Sequence, residues 1–124
     1  MSVTTNAIMF SMSRQVMEVV GGPATAQATA TKLTNALSRC TKSVANGSFI
    51  LPSILSGEAS EPMILINDTG GVITIYPAVG EKINGAAANT PVTFGGGVGY
   101  ILFPVLNSPQ VYPTTLDWRG NSIT

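Results

Sequence analysis

The chain has 124 residues, enough for one domain with a modest core and too few for a two-domain enzyme. Only 10% of residues are charged and 44% are hydrophobic, and six basic side chains balance six acidic ones to a net charge of zero. An ordinary soluble domain carries about a quarter charged residues, so this surface is poorly equipped to repel neighbours and suits a chain covered by other protein.

The basic residues Arg14, Lys32, Arg39, Lys42, Lys82 and Arg119 are scattered. No cluster is placed to displace counterions from a phosphate backbone, so no nucleic-acid partner is expected. Cys40 is the one cysteine and there is no histidine, which rules out an intrachain disulfide, leaves metals only carboxylates and casts Cys40 as a small buried side chain. The N-terminus has no basic segment followed by a long apolar core, and no run reaches the ~18 apolar residues of a membrane span. Synthesis and folding in a cytoplasm, with no membrane partner, are the expectation.

In chain order, residues 8–20 are densely apolar, and Met12, Val16 and Val19 or Val20 fit one helical face. Val16, Glu18 and Val20 also alternate as in a strand, so a short helix and an extended arm fit equally well. Gly21, Gly22 and Pro23 stop either element. Residues 24–38 are rich in Ala and Thr with Lys32 as the only charge, a composition compatible with an extended segment or a weak helix. An N-terminal arm over 1–38 is expected.

From residue 39 the punctuation is that of an antiparallel β protein, with short apolar runs separated by Asn, Gly, Asp and Pro. Strands over 40–44 and 48–51 flank Asn46-Gly47, a dipeptide suited to a tight hairpin turn. Strands over 63–66 and 72–76 flank Asn67-Asp68-Thr69-Gly70-Gly71 and form a second predicted hairpin. Strands over 92–94 and 100–105 flank Gly95-Gly96-Gly97 and form a third. Pro104, Pro109 and Pro113 break up the remaining chain, so 39–106 is read as the β domain and 107–124 as a Pro-rich tail packing on it or on a neighbour. The predicted fold is mainly β, an antiparallel sandwich or jelly-roll-like barrel of short strands, with no repeat strong enough to indicate a solenoid.

Little in this inventory suits catalysis. A serine or cysteine nucleophile has no histidine to activate it. The carboxylates Glu18, Glu58, Glu61, Asp68, Glu81 and Asp117 offer the residue type of a glycosidase pair, but Glu58 and Glu61 occupy a loop where acidic residues are ordinarily solvated. Asp68 and Glu81 read as turn residues, Asp68 bonding its own backbone. The Gly95–Gly99 run opens onto a strand, whereas a phosphate loop opens onto a helix. Tyr76 and Phe103 are expected in the core or at its rim, and Tyr112 and Trp118 in the core or in an intersubunit contact.

Leu51-Pro52, Ile64-Leu65-Ile66-Asn67-Asp68, Ile73-Thr74-Ile75-Tyr76-Pro77, Gly80 and Ile83-Asn84-Gly85 succeed one another at a characteristic spacing. Over roughly residues 24–103 the chain resembles a β module of small structural proteins of tailed bacteriophages and prophages. The module commonly ends soon after the strand matching Tyr100 to Phe103, with a Trp, whereas this chain continues to Trp118 and beyond. The resemblance implies a non-enzymatic virion protein of the head-decoration (capsid cement) kind, without cofactor or active site. It would sit on the capsid exterior, bind the major capsid protein and associate with itself as a homodimer or homotrimer. The expected contact residues are apolar anchors on the two arms: Met9, Phe10, Met12, Met17, Tyr112, Leu116 and Trp118. A tail, baseplate or head-fibre subunit binding a host glycan is the alternative, and a small carbohydrate-binding or hydrolytic module using Glu58 and Glu61 is the second.

Overall fold

A computed structural model describes residues 16–22, 25–42, 47–59, 61–105 and 116–123. These residues form a mainly β fold of two curled, mixed sheets that together make a half-barrel. The strands are β1 (Val16–Val20), β2 (Thr31–Lys32), β3 (Leu37–Lys42), β4 (Ser48–Ile50), β5 (Met63–Asn67), β6 (Ile73–Tyr76), β7 (Lys82–Ile83), β8 (Val92–Phe94), β9 (Val98–Val105) and β10 (Asp117–Ile123). A 3-10 turn at Gln27–Thr29 lies between β1 and β2. The larger sheet runs β1-β3-β5-β9-β10-β7 and the smaller β2-β4-β6-β8.

Successive strands alternate between the sheets, so the first half of the chain winds. β1, β3 and β5 lie parallel in one sheet while β2, β4 and β6 lie parallel in the other. Each strand of one sheet thus serves as the crossover that parallel neighbours in the other require. The winding then reverses: β8 runs antiparallel to β6, β9 to β5 and β10 to β9, and β7 closes the larger sheet parallel to β10. None of the three predicted hairpins forms, because in each the two strands enter different sheets. Asx-Gly chemistry favours a turn, whereas burial dictates the partners. Ile73, Thr74 and Ile75 are all buried in succession, which an outer hairpin strand with one wet face does not allow.

Glycines form the corners of this winding. A Cβ on Gly21 would lie 2.9 Å from the Gly47 Cα, one on Gly22 would overlap the Thr29 carbonyl oxygen, and one on Gly96 would overlap that of Thr69. Backbone therefore touches backbone where one winding passes the next, and only glycine permits that approach.

Side chains alternate across the larger sheet as the strand period demands. On its inner face Val19, Cys40 and Asn67 share one row, and Ser38, Leu65 and Tyr100 another. The smaller sheet contributes Phe49, Ile73, Ile75 and Phe94, with the Phe94 and Tyr100 rings 5.4 Å apart and tilted by 42°. Leu33 and Leu51 extend the β2 and β4 rows, their N–H groups donating to the carbonyls of Ile50 and Tyr76. One hydrophobic cluster fills the space between the sheets, with Trp118, Phe49, Ile73, Ile75, Cys40 and Leu102 wholly buried.

The segments read as an arm over 1–38 and a tail over 107–124 both contribute strands. Residues 1–38 supply β1, β2 and the first residues of β3, and 107–124 supply β10, all integral to the sheets. The helix-or-arm ambiguity is settled for 16–20, which are a strand. β10 passes close to its neighbour at Gly120, where a Cβ would overlap the Ile101 carbonyl oxygen and lie 2.8 Å from Leu102 Cδ2. Gly120→Ala is expected to cost about 2 kcal/mol or more. A urea titration should show a lower midpoint at unchanged slope.

Candidate functional site

The polar residues of the Ile-Asn-Gly motif and its surroundings build corners. Asn67 ends β5 with its side chain wholly buried. Its Nδ2 donates to the carbonyls of Gly71 (2.8 Å) and Phe94 (3.3 Å), and its Oδ1 accepts from the Thr69 N–H (3.0 Å) and the Thr69 hydroxyl. One amide thus shapes the corner from β5 into β6 and ties it to the end of β8. Asn67, not Asp68, makes the Asx turn; Asp68 pairs with Arg39 on the neighbouring strand.

Asn84 extends the short β7 ladder with its side chain. After Asn84 N–H donates to the Trp118 carbonyl (2.7 Å), the backbone turns away with φ at 54°. Its Nδ2 then donates to the Gly120 carbonyl (3.1 Å) while its Oδ1 accepts the Gly120 N–H (2.9 Å). The amide copies the paired bonding of a peptide unit. Ile83 is 1% exposed and fills the core, and Gly85, at φ 73°, donates its N–H to Asp117 Oδ1 (3.1 Å). Asp117 is buried and also pairs with Arg119, Oδ2 to Nε, at 2.7 Å. The motif is therefore a clamp on the last strand.

Glu81, a turn residue in the sequence reading, is 1% exposed. Its carboxylate accepts the Ser53 hydroxyl (2.8 Å) and the N–H groups of Ile54 (3.0 Å) and Leu55 (3.2 Å). Its own N–H donates to the Ala78 carbonyl (2.9 Å). A buried charge is tolerated where such donors converge on it. The result is a rigid junction between the loop after β4 and the turn after β6. At its surface stand Leu55, 71% exposed, and Val79, 78% exposed, the two most exposed large apolar side chains among the described residues.

The acidic pair singled out in the sequence does share a cleft. Glu58 and Glu61 line a recess of about 350 Å³ together with Lys32, Leu33, Thr34, Pro52, Ala59 and Met63. Glu58 is ion-paired with Lys32 and accepts the Ser56 hydroxyl (3.1 Å). The Lys32 ammonium, then Ser56, hold its carboxyl below the ordinary glutamate range. A carboxyl so held is ionised at neutral pH and is a poor proton donor.

Of the expected contact residues, Met9, Phe10, Met12 and Tyr112 lie outside the described residues, as does the Met17 side chain; the Met17 backbone lies in β1 opposite Ser38. Leu116 is partly buried against the core. Trp118 is wholly buried, so it is a core residue and not an exposed anchor, because β10 turns its side chain inward beside Ile83. Phe103 reverses the other way. Expected in the core or at its rim, it is 46% exposed on the outer face of the larger sheet. Tyr76 is half-buried, as a rim position requires. The sequence reading missed Leu55 and Val79. A lone leucine or valine in a loop carries no periodicity, and only the position of Glu81 brings them together.

Asn84→Gly, which tolerates the positive φ but removes the amide, should destabilise the fold by about 1–2 kcal/mol. Wild-type stability in that variant would mean that the amide bonds to Gly120 contribute nothing. In a carboxyl titration observed by NMR, Glu58 should ionise below the ordinary glutamate range, and Lys32→Ala should bring it back. Because the folded value is depressed, the small contribution of this pair is present at neutral pH and lost as the pH falls through that value.

Compared with known proteins, the chain matches no family model, no curated protein and no solved structure.

Proposed function

We propose that this chain is a non-enzymatic structural protein of a bacteriophage particle, a decoration subunit that binds the outside of the head and clamps neighbouring major capsid subunits. The observation that carries this reading is the pair of apolar tips, Leu55 and Val79, presented on two loops that the Glu81 carboxylate locks together. Apolar anchors held rigid before contact lose little conformational entropy on docking. The low share of charged residues, 10%, supports the same reading. So does the architectural use of the residues that carry the phage resemblance, since Asn67, Ile83, Asn84 and Gly85 all serve the fold. Binding energy would come from apolar area removed from water at each subunit, multiplied over the lattice.

The test uses heads stripped of the protein. Purified chain is expected to re-bind them and raise their melting temperature, and Leu55→Glu combined with Val79→Glu should abolish re-binding while leaving the circular dichroism spectrum intact. Heads that are equally heat-resistant with and without the protein would end the clamp reading.

A second reading rests on the cleft that both Glu58 and Glu61 line. It makes the protein a small glycan-binding or glycan-cleaving module. In that case a glycan panel should give affinity or turnover that disappears in Glu58→Gln and in Glu61→Gln. An inert panel removes the reading.

A further inference from the structure

The outer face of the larger sheet departs from the pattern of a solvated sheet face. Facing away from the core are Leu37, Ile64, Ile66, Ile101, Phe103 and Ile123. Leu37, Ile64 and Ile101 stand opposite one another on β3, β5 and β9, and Ile66 and Ile123 share the row that passes through Gly99. A sheet with one wet face normally carries polar residues at these positions. Here apolar side chains cover the two middle strands of six and reach onto each neighbour at Leu37 and Ile123. Continuous apolar surface of this kind marks an interaction site.

We propose that this face is a self-association surface on which a second copy of the chain packs sheet against sheet about a twofold axis. Three features select a second copy over a partner of different chemistry. The apolar patch is centred on β5 and β9, with two strands on either side, so a twofold axis through the middle brings the apolar strands of one copy against those of the other. The cations Arg39 and Arg119 on this face are matched within the chain, by Asp68 and Asp117, and so are not held out to an acidic partner. The zero net charge of the chain adds no long-range repulsion between copies. The size also fits. Six strands at the usual spacing span a face on the order of 500–800 Å², which with its rim approaches the ~800 Å² per partner of a stable specific interface. The surface is distinct from the Leu55 and Val79 loop tips, so the dimer does not depend on the decoration reading, and either can fail alone.

Sedimentation velocity of the full chain between about 1 and 100 µM is expected to show a concentration-dependent dimer. Phe103→Glu and Ile123→Glu should each weaken it by about 100-fold, the loss expected for burying an unpaired charge in an apolar interface, and Val79→Glu should leave it unchanged. The buried Trp118 reports by fluorescence whether each variant is folded. A mixture of labelled and unlabelled wild-type chains should give intermolecular NOEs from Ile64, Ile101 and Phe103, which locates the interface without any substitution. A monomer at 100 µM would overturn the proposal, the face then being covered by the chain itself or by a different partner. A dimer without those NOEs, or one that survives in folded Phe103→Glu and Ile123→Glu chains, would overturn it as well.

Discussion

Two parallel strands cannot be neighbours unless the chain between them goes somewhere, and here it goes through the opposite sheet. Everything else depends on how closely those passages can stack. At Gly21 and Gly47, and again at Gly96 and Thr69, the backbone of one corner lies against another with no room for a side chain. That approach sets the sheets in register and lets Val19, Cys40 and Asn67 line up on one inner row. Bulk at a corner would push the windings apart and open the cluster that contains Phe49, Ile75 and Leu65. The core is large enough to hold this arrangement only because its rows are continuous across both sheets.

The polar interior has its origin in the same geometry. A chain that changes sheet every few residues leaves backbone groups at each corner without a ladder partner, and such groups must be satisfied when buried. Asn67, Glu81, Asn84 and Asp117 meet that demand from side chains, each bonding backbone from a different part of the sequence. Such bonds also impose specificity, since each side chain fits one corner and leaves unpaired groups anywhere else. Residues that resemble catalytic carboxylates in a sequence are, at Glu81 and Asp117, the internal fastenings of a fold.

The sequence made the strands legible and left their partners hidden. β5, β6, β8 and β9 fall where short apolar runs between Asx and Gly residues place them, because alternation and turn chemistry are local. Pairing is not local. Asn46-Gly47 and the glycines at 70–71 and 95–97 read as hairpin turns, since nothing nearby reveals that Phe49 will face Ile75 and not a strand next in sequence. The functional candidates divide in the same way. Glu58 and Glu61 lie in one loop and line one cleft, a local relation, although the sequence reading took both as merely solvated. The inward turn of Trp118 and the outward turn of Phe103 depend on the register of β10 against β9, where Arg119 meets Phe103 and Trp118 meets Pro104, and no short-range pattern encodes it. The phage resemblance rests on residues now seen to build corners, and the virion role it implies remains a proposal.

The clamp on β10 also governs the order in which the molecule can be completed. Among the described strands β7 pairs only with β10, and Asn84 finds its backbone partner in Gly120, far along the chain. During synthesis the first windings emerge with their partners close behind them. The edge formed by Ile83 and Asn84, by contrast, waits more than thirty residues for the strand that covers it. Until then an apolar side chain and an unpaired ladder stand open, a state prone to misassembly in β proteins. Translation that stops just short of Asp117 would therefore release a chain with its windings in place and its last side unsealed.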